Sequence, residues 1–216
     1  YSFLYDKRDQ SFRPTDGYYS RFNQILPLLS NDYSLSNIYD FKTYHKLTEN
    51  IVSNFSFYIS AINSLDPAFA KDQASVWATN QLFNGLVQLD ENLNIVPDLA
   101  KSWTISKDGL TYNFNIKNEI YFHESQSFGE DLTRTVNAKD FEFSFKRLKN
   151  PKLGSPGIWA LDNIKNFKAE NDSLFSINLK KPFAAFLGIL SMKYFSVVPK
   201  ESVLFYGDKF GKNPIG

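Results

Sequence analysis

His45 and His123 are the two side chains of this sequence best suited to move a proton near neutral pH. They stand far apart in the chain, and neither has a fixed partner close by in sequence. His123-Glu124 could be drawn as a base or as a metal pair. Adjacent residues at a strand end project to opposite faces, and one His with one Glu falls short of a usual metal set. A satisfied strand-end histidine is the plainer reading. Glu119, Glu124, Glu130 and Asp131 cluster only in sequence, where a solvated surface is the default for carboxylates. The sequence has no cysteine, which excludes disulfides and thiolate metal sites. No Gly-rich phosphate loop, serine elbow or HExxH is present. A hydrolase would need a nucleophile and base that the chain does not supply. The expectation is therefore no enzyme, no cofactor and no metal site.

Composition agrees with an ordinary globular protein. The chain has 216 residues, 43% hydrophobic and 22% charged, enough to bury one or two cores. Net charge is +1; without a basic field or a long like-charged run, no nucleic-acid partner is expected. No run of eighteen apolar residues occurs, so no membrane-spanning helix is expected. The first residue is Tyr1 and Met192 is the only methionine, so the N-terminus is expected to have been processed or trimmed.

The element that organises the rest is residues 100–117. Two short apolar runs flank Lys107-Asp108-Gly109, a strong hairpin signal because Gly109 takes positive φ without steric cost. After the corner, Leu110, Tyr112, Phe114 and Ile116 alternate with Thr111, Asn113, Asn115 and Lys117. Period two predicts a strand with one buried and one wet face. Residues 1–53 are aromatic-rich, with turn signals at Pro14, Asp16-Gly17 and Asn31-Asp32. Helical pieces are expected over 18–26, ended by Pro27, and over 41–52. The segment reads either as a docking surface for a partner or a sugar, or as an extension packed on the main body. Residues 55–62 alternate and are expected to open the main sheet, broken by Asp66-Pro67. Asp72 can cap the next helix, whose Val76, Thr79, Phe83 and Leu86 face the core at helical spacing while Trp77 falls off the stripe. Tyr121-Phe122 ends a second strand. Asn137 begins another helix with Asp140 completing the cap, and Phe141, Phe145 and Leu148 share one face until Pro151 stops it. Residues 154–157, Gly-Ser-Pro-Gly, make a loop carrying Ile158 and Trp159. Residues 173–179 alternate as a strand, and a buried helix is expected from Lys181-Pro182 through Leu190.

The spacing of Ala100, Asp108, Thr111-Tyr112, Phe114 and Ile116-Lys117 resembles the signature of family 5 extracellular solute-binding proteins, the peptide-, dipeptide- and nickel-binding receptors of bacterial ABC importers. SLDPAFAKDQASVWATNQLFNGLVQL at 64–89, VPDLAKSW at 96–103, Tyr121-Phe122-His123 and NAKDFEFSFKRLKNP at 137–151 are similar to further family motifs, in family order. The resemblance does not extend to residues 1–53. The resemblance implies an α/β fold: a class II periplasmic-binding-protein-like lobe, with mixed β-sheets flanked by helices, spanning 54–216. NPIG at 213–216 resembles the family's lead into a second lobe, which this sequence is expected to lack in the main.

It implies a function too: capture of oligopeptides or dipeptides outside the cytoplasmic membrane and delivery to an ABC permease. The receptor would be monomeric, periplasmic or at the cell surface, and anchored by lipid through a removed N-terminal segment. By resemblance, Lys71, Asp72 and Gln73 approach the ligand backbone, although Asp72 is equally explained as a helix cap. Relatives carry an aromatic residue near the ligand on the loop where Gly157 stands, with Trp159 two residues on. Met192 and Tyr194 lie on a turn that reaches the cleft in relatives. The loop at 125–134 is longer than the family's usual one. The groups that hold a peptide's termini lie mainly in the family's second lobe, so residues 1–216 alone are expected to bind weakly. Other readings are a sensor or scaffold without transport, or a receptor for a nickel chelate, haem or an oligosaccharide.

Overall fold

The computed structural model describes residues 2–25, 36–49, 51–61 and 64–216. The chain divides into two units, Tyr1–Asn63 and Ser64–Gly216. The division thus falls after Asn63 rather than after residue 53.

The first unit is a meander of β1 (Ser2–Asp6), β2 (Gly17–Ile25), β3 (Ser36–Thr48) and β4 (Ile51–Ala61), in that order across the sheet. This corrects three expectations. Residues 18–25 and 41–48 are strand, not helix. Tyr, Phe, Thr and Ile make up half of each stretch, and such residues fit a pleated surface. Residues 51–61 pair with β3, so they close this meander instead of opening the main sheet. The turn signal at Asn31-Asp32 and the end of the expected first helix, Leu26-Pro27, lie outside the described residues. Register aligns Phe3 with Phe22 and Phe22 with Tyr39, so aromatics share one face. On the other face, Arg8, Arg21 and Lys42 sit 4.8, 5.3 and 5.8 Å from the buried Tyr19 ring.

The second unit runs α1 (Gln73–Leu82), β5 (Val87–Leu89), β6 (Ile95–Pro97), β7 (Ala100–Ile105), β8 (Thr111–Ile116), α2 (Ala138–Lys149), β9 (Ile164–Ala169), β10 (Leu174–Leu179), α3 (Phe186–Leu190) and α4 (Lys200–Tyr206). Its main sheet has the order β7-β8-β10-β9, and β5 pairs with β6 as a separate ribbon. Among the described residues every pairing is antiparallel, where the resemblance implied mixed sheets. β7–β8 and β9–β10 are consecutive pairs that need no crossover, and β10 then pairs with β8 after the chain has passed through α2 and β9.

The β7–β8 hairpin turns on Gly109 at φ +69°, with the Leu110 amide donating to Asp108 Oδ1 at 3.0 Å. The alternation then buries Tyr112, Phe114 and Ile116. Helix α2 starts at a reciprocal cap: the Asn137 amide donates to Asp140 Oδ2 at 3.0 Å, and Lys139 N–H donates to Asn137 Oδ1 at 2.9 Å. Its buried face packs aromatic on aromatic. The Phe145 ring lies 5.2 Å from Phe175 on β10, 5.4 Å from Phe167 on β9 and 5.0 Å from Phe195. Each such side chain contributes roughly 1.5–3 kcal/mol by leaving water.

Two smaller corrections concern helix and strand ends. The helix expected from Lys181 begins only at Phe186, and residues 181–185 are exposed; Pro182 holds the residue before it extended. Only Phe186 and Leu190 of that helix are buried, so its apolar run is half-covered rather than enclosed. Tyr121 forms an isolated bridge with Thr135 instead of ending a strand. The long loop before α2 folds as the 3-10 turn Gln126–Asp131. At its end Arg134 grips Asp140 at 2.7 Å and Glu201 at 2.7 Å, and its guanidinium lies 5.1 Å from the Phe122 ring.

Candidate functional site

The site is built from three turns of the second unit. The first is Asp66 with Pro67–Phe69. Asp66 is buried and its carboxylate accepts the Ala68 amide at 3.1 Å. The same carboxylate takes Arg147 of α2, Nη1 to Oδ1 at 2.9 Å and Nη2 to Oδ2. Arg147 in turn lies 5.6 Å from the Phe210 ring. A buried bidentate pair therefore fixes this turn to α2.

From there the chain enters α1. The Asp72 carboxylate accepts the Ser75 amide at 3.0 Å, and Ser75 Oγ is 2.8 Å from Asp72 Oδ2. Asp72 is thus a helix cap, half-buried, between Lys71 and Gln73, which are exposed. The helix buries Ser75 and Thr79 and leaves Trp77 outside. Phe83 and Leu86 are fully buried just beyond its end.

The second turn is the loop after α2. Ser155 is buried, and its hydroxyl donates to Ala68 O at 2.5 Å while accepting the Gly157 amide at 3.1 Å. This one hydroxyl ties the second turn to the first. Gly157 leads into the 3-10 turn Ile158–Leu161, where Ala160 and Leu161 are buried and Trp159 is half-exposed.

The third turn is Met192 with Lys193–Phe195. Phe195 is buried against Phe145. Lys193 donates from Nζ to Phe83 O at 3.3 Å. Burial pushes its ammonium below the ordinary lysine range, opposed by the Asp98 carboxylate. Asp98 accepts Asn84 Nδ2 and the Gly85 amide, both at 2.9 Å. Between these anchors the Tyr194 ring lies on Gly157: a Cβ at 157 would stand 2.4 Å from Tyr194 Cγ. Burial raises the Tyr194 phenol above the ordinary tyrosine range.

Of the seven residues marked from sequence, the structure puts Gly157 and Tyr194 in direct contact and makes Asp72 a cap. Lys71 and Gln73 flank that cap, and Trp159 and Met192 are exposed in part on the second and third turns. Sequence reasoning missed the residues that hold the turns: Asp66, Arg147, Ser155 and Lys193. Their partners are distant in the chain, and only burial and hydrogen bonds reveal them. Among the described residues no three His, Asp or Glu side chains gather within reach of one ion. The exposed groups on or next to these turns are the Lys71 ammonium, the Gln73 amide and the Trp159 indole, with the Tyr194 phenol half-buried. Such groups can meet a ligand by hydrogen bonds and stacking.

The solved proteins that share this chain's α/β fold are periplasmic binding proteins of type II. The profile of the bacterial extracellular solute-binding proteins, family 5, middle region, matches residues 94–216, and the chain belongs to that family. The dipeptide-binding protein of Lactococcus lactis subsp. cremoris is 33% identical over 175 residues, covering 73% of this chain and 30% of the relative. The periplasmic binding protein DppA from Helicobacter pylori, solved with the peptide STSA, is 32% identical with a TM-score of 0.64, covering 71% of this chain and 33% of that one. NikZ from Campylobacter jejuni, solved with Ni(L-His), is 34% identical with a TM-score of 0.59, covering 72% and 30%. The chain spans about three-tenths of the length of the curated relatives it matches.

Proposed function

We propose that this chain belongs to the substrate-binding component of an ABC importer. It captures dipeptides or oligopeptides outside the cytoplasmic membrane and hands them to a permease. The observation that carries this reading is the contact of the second and third turns at Gly157 and Tyr194, in a chain whose relatives include peptide-binding proteins. Lys71, Gln73, Trp159, Met192 and Tyr194 are the ligand-facing residues, with Asp72 and Gly157 setting the backbone beside them. An extended peptide offers alternating donors and acceptors, which edge groups of this kind can meet. The action is non-covalent. Two lobes close over the solute, and the closed form docks on the permease. The receptor works as a monomer and is held at the membrane by an N-terminal lipid.

The test is native mass spectrometry of the full-length receptor, purified gently from its host. A mixed set of adducts with short-peptide masses supports the reading, and a receptor free of adducts and unmoved by a peptide pool overturns it in favour of a scaffold. The likeness to a protein solved with Ni(L-His) favours a second reading, a nickel chelate. A single nickel-containing adduct selects it. Residues 1–216 alone should bind peptide no tighter than micromolar; sub-micromolar affinity would place the whole site in this chain.

A further inference from the structure

Gly157 has φ −85° and ψ −1°, a backbone that any L-residue adopts. Glycine is therefore not there for its backbone freedom. The reason is space. A Cβ built at 157 would stand 2.4, 2.7 and 2.8 Å from Tyr194 Cγ, Cδ1 and Cδ2. The near edge of the Tyr194 ring fills the volume that any side chain at 157 would need, and real Cβ atoms do not approach this closely.

Both segments are anchored close to the contact. The Gly157 amide donates to Ser155 Oγ at 3.1 Å, and its carbonyl accepts the Ala160 amide at 3.1 Å. Ser155 is itself pinned to Ala68 O. On the other side Tyr194 sits between Lys193, held on Phe83 O, and Phe195, packed 5.0 Å from Phe145. With both segments anchored, the clash from a side chain at 157 is expected to be relieved by the Tyr194 ring moving to another rotamer. Tyr194 is only half-buried, so the ring has somewhere to go.

We propose that residue 157 is a specificity-determining position that acts through Tyr194: glycine there lets the Tyr194 ring lie against the loop and form one wall of the ligand site. This rests on the site reading given above. Position 157 touches no ligand itself in this scheme. It decides where the ring stands and so which solute length and shape the wall accepts.

The experiment uses the full-length receptor and the variants Gly157→Ala, Tyr194→Ala and the pair together. Two readouts are taken: the crystallographic position of the Tyr194 ring, and calorimetric Kd for alanine peptides of two to five residues. In Gly157→Ala the ring is expected to leave its place, and Kd for at least one peptide length to change by about tenfold, as a small change in pocket shape does. In the Tyr194→Ala background, adding Gly157→Ala is expected to change nothing further, a strong departure from additivity. A ring that stays put while the 155–161 loop moves overturns the inference and leaves the site reading intact. A ring that moves while every Kd is unchanged means that this wall does not face the ligand, and overturns the site reading. If Gly157→Ala fails to fold, the double variant decides: refolding supports the clash with Tyr194, and continued failure refutes it.

Discussion

Replacing Arg147 with methionine tests whether the first turn is held from α2. The side chains of Arg147 and Asp66 are 13% and 5% exposed, and they meet through two parallel N–H···O contacts. Met keeps most of the volume and removes the charge, leaving the Asp66 carboxylate buried with only the Ala68 amide. Breaking a buried pair from one side costs about 3–5 kcal/mol. For a unit of this size, each kcal/mol moves Tm by about 2–4 °C, so Tm should fall by roughly 6–20 °C. Circular dichroism melts and guanidinium titrations at neutral pH read the change. An unaltered denaturant slope would confirm that only stability moved. The double variant Asp66→Asn/Arg147→Met removes both charges and keeps an acceptor for the Ala68 amide, so it should be more stable than Arg147→Met alone. A loss below about 1 kcal/mol, the scale of an exposed pair, would refute the claim that this bridge anchors the turn.

Phe145→Ala empties the contact point of Phe167, Phe175 and Phe195; it should cost about 3–5 kcal/mol in denaturant titration. For Glu201, partial burial pushes the carboxyl up, but the Arg134 guanidinium outweighs it and holds the group below the ordinary glutamate range. A depressed folded value means stability that is present above the ordinary glutamate pKa and lost as pH falls through the folded value. Melts at successively lower pH should therefore show the gap between wild type and Glu201→Gln closing below the ordinary glutamate range. Finally, every residue in the buried hydrophobic cluster lies between Ala68 and Ile215, so a chain of residues 64–216 should unfold cooperatively by calorimetry.

What was legible in the sequence was local. The hairpin follows from Asp108-Gly109 and a period of two. Helix α2 follows from Asn137, Asp140 and the spacing of Phe141, Phe145 and Leu148. Asp72 is a cap because a carboxylate before a helix meets free amides. The meander was misread because Tyr18, Phe22 and Ile25 suit a helical stripe, while Tyr18 and Phe22 equally share a strand face; pairing partners decide between the two. The strand at 51–61 alternates in any sheet, so its alternation did not say which sheet it joins. The Gly157–Tyr194 contact was out of reach for the same reason. Turn signals mark Gly157 as a loop residue, but what stands over its Cα depends on an element packed from elsewhere.

The site separates holding from touching. Three candidate ligand residues lie within a few positions of a buried anchoring residue. Asp66 is buried and Lys71 exposed; Ser155 is buried and Trp159 half-exposed; Phe195 is buried and Tyr194 partly open. Anchors inside the core lose little on binding because they are already ordered, so the rotamer cost of binding falls only on the few exposed side chains. Several charged groups serve as anchors: Lys193 is held on a backbone carbonyl, and Arg134 and Glu201 form a bridge between α2 and α4. Charge is used to fix turns, and the turns present shape and hydrogen-bonding edges. Substitutions at the anchors should therefore move Tm first and affinity second, and those at Lys71, Gln73, Trp159 or Met192 should move affinity with Tm nearly unchanged.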